Sequence, residues 1–338
     1  MYLALRKLER LRHCKSAILS VLFCGLPLAS SLPLASAQLE ADSSVPASER
    51  SDYAPTIGES RKVKYRIGTK IQTGNSTFGR VKIILPVPGE WPEQTVSVVE
   101  ESVYEKAADI EYRLLDGGVR QMMVAIPSVP ARTEAEVLIT YEVNISSIGL
   151  PATTEGLIRP ETRDKQLAMA LGEGPMLFSR DRKLRKQVEE ILADEELPPW
   201  DAAKLLHAWI LENITETVTK AQSTKDTLEQ KQGCNEDRAA LFVAMARAAK
   251  IPARMVMVEG SQHAEFCLQD PAGETHWYPC TFRGSGEFGE VARPAVVFQK
   301  GDNLRMPEQS KRMRLITEYI NGRGASQPRV EIIRRVVE

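Results

Sequence analysis

Charge of one sign is what this chain most plainly lacks. Its 338 residues hold 44 Lys and Arg against 45 Asp and Glu, a formal net charge of −1. Such a surface sets up no basic field for a phosphate backbone, so nucleic acid is excluded as the expected partner. Long apolar runs are also scarce. AILSVLFCGLPLA at 17–29 is thirteen residues long and is interrupted by Gly25 and Pro27. A bilayer core of about 30 Å asks for more than that, and no later segment approaches a span. Cysteine is rare, with five in the chain and only Cys234, Cys267 and Cys280 beyond residue 37. Internal repeats are absent from the sequence.

The order of features at the start is that of a secretory signal peptide. Arg6, Lys7, Arg10, Arg12 and Lys15 precede the apolar run, and Ala35-Ser36-Ala37 gives a small-x-small cleavage site before Gln38. Phe23 stands where a lipid-anchored Cys24 would need a small residue. Residues 1–37 are therefore expected to be removed on export, leaving a periplasmic or secreted protein without a membrane span. The mature chain would hold 39 basic and 44 acidic residues, a net charge of −5. Three cysteines in an oxidising compartment imply at least one free thiol or an intermolecular pair.

Residues 38–60 are polar and poor in large apolar side chains, the composition of a disordered linker. From 61 to 150 the pattern is β. VKYRIGTKIQ alternates, VKIILPVPG ends at prolines, RQMMVAIPSVP and EAEVLITYEVNIS follow, and TGNS and DGG mark turns. Five to seven antiparallel strands predict a small β-sandwich. Helical spacing then takes over: Leu184, Val188, Ile191 and Leu192 form one stripe, and Leu205, Leu206, Trp209 and Ile210 another. His207 lies beside the second stripe with no carboxylate at helical spacing toward it, which fits a surface or helix-packing ring. A third helix spans 236–249, and Leu241, Met245 and Ala248 should face the core. Strands are predicted in ARMVMVEG, AEFCLQD and THWYPCTF, the last two joined by the turn PAGE. Within 291–338, MPEQSKRMRLITEYINGRG reads as an amphipathic helix with a glycine stop, followed by a short basic-apolar tail.

The stretch GCNEDRAALFVAMARAAKIPAR, 233–254, carries Arg247, Ile251, Pro252, Ala253 and Arg254 at its end. Ala264, Glu265 and Phe266 follow on one strand segment, Trp277 and Pro279 on the next. This resembles the nucleophile helix and following strands of the transglutaminase-like superfamily of papain-type thiol enzymes, over roughly residues 170–285. The resemblance implies an α+β fold, with an N-terminal antiparallel β-sandwich followed by a papain-like core of helices on an antiparallel sheet over 165–290. It implies a cysteine at a helix N-terminus, where the dipole favours thiolate, a histidine that takes its proton, and an aspartate that orients the histidine. It also implies chemistry on a carboxamide or peptide carbonyl.

Counting registers changes what that site would hold. About twelve residues separate the family's nucleophile from the Arg of its R-A-x-G-I-P ending. Twelve before Arg247 is Asn235, while Cys234 lies thirteen before it. In the pattern H-x-W-x-E the His lies four before the Glu, and four before Glu265 is Ser261, with His263 at the Trp position. W-x-P-x-D maps Trp277 and Pro279 onto Thr281 at the Asp position. Ungapped, the triad positions therefore read Asn235, Ser261 and Thr281, none of which supplies the required chemistry. Asn235 would instead suit an N-cap, with Glu236 and Asp237 in the first turn. A shifted pair, Cys234 with His263, is the alternative. It needs a one-residue insertion at the helix start, and only Glu265, on the same strand face, could stand in for the missing acid.

His263, Cys267, His276 and Cys280 repeat a His-x-x-x-Cys spacing. On strands, residues four apart are separated by roughly 13 Å, so no metal site is expected. Cys267 and Cys280 have opposite face parity, which argues against a disulfide between them. No cofactor is expected. Two functions follow: a degenerate module that holds a protein or peptide, possibly cell-wall peptide, in the former cleft, or an active thiol peptidase, amidase or amide transferase using Cys234 and His263.

Overall fold

The computed structural model describes residues 51–337 apart from positions 106, 108, 109, 162, 163, 194 and 195. The expected leader 1–37 and most of the expected linker lie outside the described residues. The last part of that linker does not behave as one. Tyr53 packs against the helical core, and strand β1 (Thr56–Gln72) already begins at Thr56.

Two four-stranded antiparallel sheets form the sandwich. One has the order β14 (Arg329–Val337), β1, β6 (Glu134–Gly149), β3 (Gln94–Val103). The other has the order β13 (Tyr319–Gly324), β2 (Phe78–Pro86), β5 (Arg120–Val129), β4 (Glu111–Leu114). Inward residues alternate as the period of two requires: Val63, Tyr65, Ile67 and Ile71 of β1 meet Val81, Ile83 and Leu85 of β2 in one buried cluster.

The C-terminal expectation is corrected here. No helix forms among the described residues 291–337; the chain returns as β13 and β14, each adding an edge strand to one sheet. The apolar residues that read as a helix stripe serve a different surface. Met306 and Ile316 are buried with Leu304, Ile84 and Val119 in a small cluster at the end of the sandwich, and Leu304 bridges to Met313 by backbone hydrogen bonds. The sandwich is thus assembled from both ends of the described chain, and the helical region is an insertion between β6 and β13.

Within the insertion, α2 (Arg182–Ile191), α3 (Pro199–Asn213) and α5 (Asn235–Ala248) pack with a third sheet. Its order is β11 (Thr275–Cys280), β10 (Ser261–Gln269), β9 (Ala253–Val258), β12 (Val297–Lys300). The short helices α1 (Lys165–Met169) and α4 (Thr224–Gln230) and a two-residue parallel pair, β7 (Thr215–Glu216) with β8 (Gln232–Gly233), complete it. The core therefore runs past residue 290, since β12 is a strand of its sheet. Helix α5 is buried on every side from Asp237 to Arg247, which is why its sequence lacks a polar face. Leu241 and Met245 are wholly buried, as their spacing predicts, and Ala248 is half-buried. Leu205, counted with the second stripe, is exposed; Leu206 and Ile210 carry that contact. No helix among the described residues is long and apolar enough to cross a membrane.

The two parts share a core. Val256, Val258, Val297 and Phe298 of β9 and β12 belong to the sandwich's apolar cluster, and Phe298 meets Tyr65 edge-on at 5.4 Å. Gln94 ties its side-chain amide to the Val297 backbone in both directions, accepting at 2.7 Å and donating at 2.9 Å. A side chain used in this way continues the strand ladder across the junction.

Candidate functional site

Helix α5 starts at the floor of a cleft of about 550 Å³. One wall is the sandwich, through Glu93, Ile145 and Ile148. The other is the β9–β10 turn and the loop after β11, including Thr281 and Gly286. Gly286 sits at φ +66°, and a Cβ there would lie 2.6 Å from the Thr281 carbonyl oxygen, so only glycine closes this loop without strain. His207 pins the same carbonyl from below with Nε2 at 2.8 Å. The ring is buried against Phe242, Phe282 and Phe288, and burial pushes its pKa down.

The register count fixes which side chains reach the cleft. Asn235, Ser261, His263 and Thr281 line it; Cys234 does not. Cys234 is the N-cap of α5, and Asn235 is the first helical residue. This corrects the expected Asn235 cap by one position. The cause is Asp237, whose Oδ2 accepts from the Cys234 backbone N–H at 3.0 Å and from its thiol at 3.2 Å. Burial raises the Cys234 pKa, and the charge and side-chain hydrogen bond of the Asp237 carboxylate raise it further, against the backbone N–H groups of Asp237 and Glu236, which pull it down. Asp237 itself is wholly buried and also accepts from the Gln222 N–H at 2.8 Å.

Asn235 spends its amide nitrogen on the strand opposite, donating to Ser261 Oγ at 3.1 Å and to the Gln262 carbonyl at 2.6 Å. Its Oδ1 is buried and has no partner. Thr281 Oγ1 accepts from the Glu287 N–H at 2.8 Å, so the hydroxyl at the acid position closes its own loop. Asn235, Ser261 and Thr281 all line the one cleft, but they bring to it an amide, a hydroxyl and a hydroxyl.

His263 borders a buried ionic cluster that the sequence did not signal. Glu265 Oε2 receives Arg254 Nη2 at 2.6 Å, and Glu265 Oε1 receives Lys300 Nζ at 2.7 Å. Lys300 also holds Glu93 at 2.6 Å. Arg254 lies over the Trp277 ring at 3.9 Å. Burial alone would raise the Glu265 pKa, but the two cations hold it well below the usual carboxylate range. Burial drives His263 the other way, to about 4, and Lys300 and Arg254 add to that push against the charge of Glu265. Glu265 therefore serves Arg254 and Lys300, not an imidazolium. Arg254 and Glu265 stood in the family pattern. Glu93 and Lys300 did not, because their meeting depends on how the two parts dock.

Arg247, the arginine that anchors the register, has a structural task. It donates to the Ala253 carbonyl at 2.8 Å, to the Gly172 carbonyl at 2.7 Å and to Asp302 at 2.7 Å, with both charged side chains about 2% exposed. Cys234, Cys267 and Cys280 are all free thiols. Cys267 pairs in register with Trp277 and Cys280 with Ala264, so the two sulfurs lie on opposite faces. Among the described residues, the one convergence of metal-type ligand atoms is Asp270, Glu274 and His276 at the turn of the β10–β11 hairpin. There Asp270 is already bonded to His276 Nε2 at 2.9 Å and to the Glu274 N–H at 2.9 Å.

Residues 185–286 match the family model of the transglutaminase-like superfamily, and this segment of the chain is a transglutaminase-like domain. Among solved structures, the chain is similar to a candidate cysteine protease from Cytophaga hutchinsonii. The two share 16% identity with a TM-score of 0.51, covering 84% of this chain and 93% of that one. At that identity the likeness is one of fold, and it extends over the sandwich as well as the domain. A candidate protease from Parabacteroides distasonis aligns at 11% identity and a TM-score of 0.28, over 72% of this chain and 48% of that one. No curated protein matches the sequence.

Proposed function

We propose that this chain is a transglutaminase-like module without thiol chemistry, which binds a protein or peptide in the cleft at the start of α5. One observation carries the reading. The side chains that reach the cleft at the triad positions are Asn235, Ser261 and Thr281, while the nearest thiol, on Cys234, is hydrogen-bonded to Asp237. An active shifted pair would need a thiolate beside an imidazolium. Here the Cys234 pKa is raised and the His263 pKa is lowered, so both groups favour their neutral forms.

Iodoacetamide labelling of Cys234 against pH tests it. Labelling that rises only above about pH 8, unchanged by His263→Ala, is the expected result. Fast labelling at pH 6 that His263→Ala abolishes would establish the Cys234–His263 pair and an active peptidase or transferase. The start of the sequence supports export, and an intact mass beginning at Gln38 is the expected result; recovery of the uncut chain would remove that part of the reading.

A further inference from the structure

A second groove, of about 700 Å³, adjoins the cleft. It is lined by the opening residues of β1 from Thr56 to Arg61, by the end of β6, and by the segment 290–294. The two share Ile148, Arg293 and Pro294, so they are neighbouring halves of one trough. Arg61 donates to the Pro294 carbonyl at 2.7 Å, and Val291 bridges to Ile148 by paired backbone bonds. The trough thus has a fixed floor where its halves meet. β1 carries a register irregularity between Ile57 and Ser60, which bends it at the far end.

We infer that a single extended polypeptide occupies both halves, anchored by an N–H group on Asn235 Oδ1 and running over Pro294 to the bulge of β1, so that the sandwich supplies half of the binding site. This rests on the binding reading above and extends it to the partner's form and length. Three observations favour a polypeptide strand. The cleft floor mixes an unpartnered acceptor, Asn235 Oδ1, with the hydroxyls of Ser261 and Thr281, each of which already accepts a hydrogen bond and keeps its own proton to donate. Alternating acceptor and donor is what successive peptide groups require. The two halves together follow β6 from Ile145 in the cleft to Gly149 in the groove, about 13 Å of strand rise, the reach of about four extended residues. The groove's lining carries both signs, Glu59 and Glu290 with Arg61 and Arg293, which suits a chain of mixed side chains over a single charged headgroup.

The test uses the mature protein, isotope-labelled for NMR, with two synthetic probes: the capped peptides Ac-Ala-Lys-Ala-Glu-NH2 and its tandem repeat of twice the length. The longer probe is expected to shift amides at Ser261–His263 and also at Gly58–Arg61, to bind about tenfold more tightly than the shorter one, and to lose that advantage in Arg293→Trp, which plugs the shared segment. Shifts confined to Ser261–His263 with equal affinity for both lengths would overturn the two-part site and leave the cleft reading intact. No shift at either place would overturn both. A dimer in solution that Arg293→Trp abolishes would assign the trough to a second copy of this chain and would also overturn the inference.

Discussion

Replacing Lys300 by Met is the perturbation that best separates a designed junction from a chance meeting of charges. Lys300 is 5% exposed and stands between Glu93 and Glu265, themselves 6% and 2% exposed. Methionine keeps most of the volume and apolar contact but leaves two buried carboxylates with only Arg254 to answer them. Breaking a buried ionic group by removing one partner costs about 3–5 kcal/mol, because the remaining charge is neither solvated nor paired. The sandwich and the inserted domain share one apolar cluster, so the loss should appear as a single cooperative transition moved to lower urea. Its pH dependence carries a second signature. Glu265 has a folded pKa held below its unfolded value, so its stabilisation is complete above the ordinary carboxylate range and fades as pH falls through the lowered folded pKa. Without Lys300 that folded pKa rises, and the acid loss of stability should begin at higher pH than in the parent. Urea titrations at pH 7, 5 and 4 measure both effects. A cost below about 1 kcal/mol at pH 7 with an unchanged pH profile would refute the reasoning and make the cluster a bystander.

His263 should titrate with a midpoint near 4 when its ring is followed by NMR, and a midpoint above 6 would mean that the ring is paired or solvated in a way this structure does not have. Because its folded pKa lies below the unfolded value of about 6.5, the unfolded chain binds more protons between those limits. His263 should therefore lower stability as pH falls from about 6.5 toward 4, and His263→Gln should flatten that slope. Ending the chain after Glu318 removes β13 and β14, one edge strand from each sheet. The truncated protein should lose cooperative unfolding by circular dichroism, and a sharp, parent-like transition would show that the sandwich stands without them.

What was legible in the sequence was whatever local chemistry dictates. Alternation gave β1, β2, β5 and β6, whose inner faces are apolar on every second residue, and the spacing of Leu241, Met245 and Ala248 gave a helix at 236–249 with a core-facing stripe, but not that α5 is buried on every side. Contacts set by docking were not legible. Met306, Met313 and Ile316 recur at spacings that suit a helix, yet they pack beside Ile84 and Val119 because the chain there must lead into β13. Nor does RVEIIRRVV reveal its partner: β14 lies against β1, more than 250 residues away in sequence. Lys300 carries no signal because a lysine reads as solvated until two buried carboxylates are shown to meet it.

The one-residue difference between Cys234 and Asn235 was decisive, and helix geometry explains why. A residue at the N-cap keeps extended backbone angles, here φ −72° and ψ 172°, and its side chain turns back over the first turn toward N3. Cys234 does this and meets Asp237. The next residue has entered the helix, and its side chain projects beyond the end of α5, where Asn235 meets β10. Arg247 fixes the register from the other end, since its bonds to Ala253, Gly172 and Asp302 tolerate no slippage of the helix along its axis. Moving Cys234 into the cleft would therefore require winding an extra residue into α5. That would pull Arg247 off Asp302, a buried pair, or Asp237 off the Cys234 N–H, a part-buried bond. The fold thus holds the thiol out of the cleft by the same contacts that make α5 its central element, which is why Asn235 and not Cys234 lines the cleft.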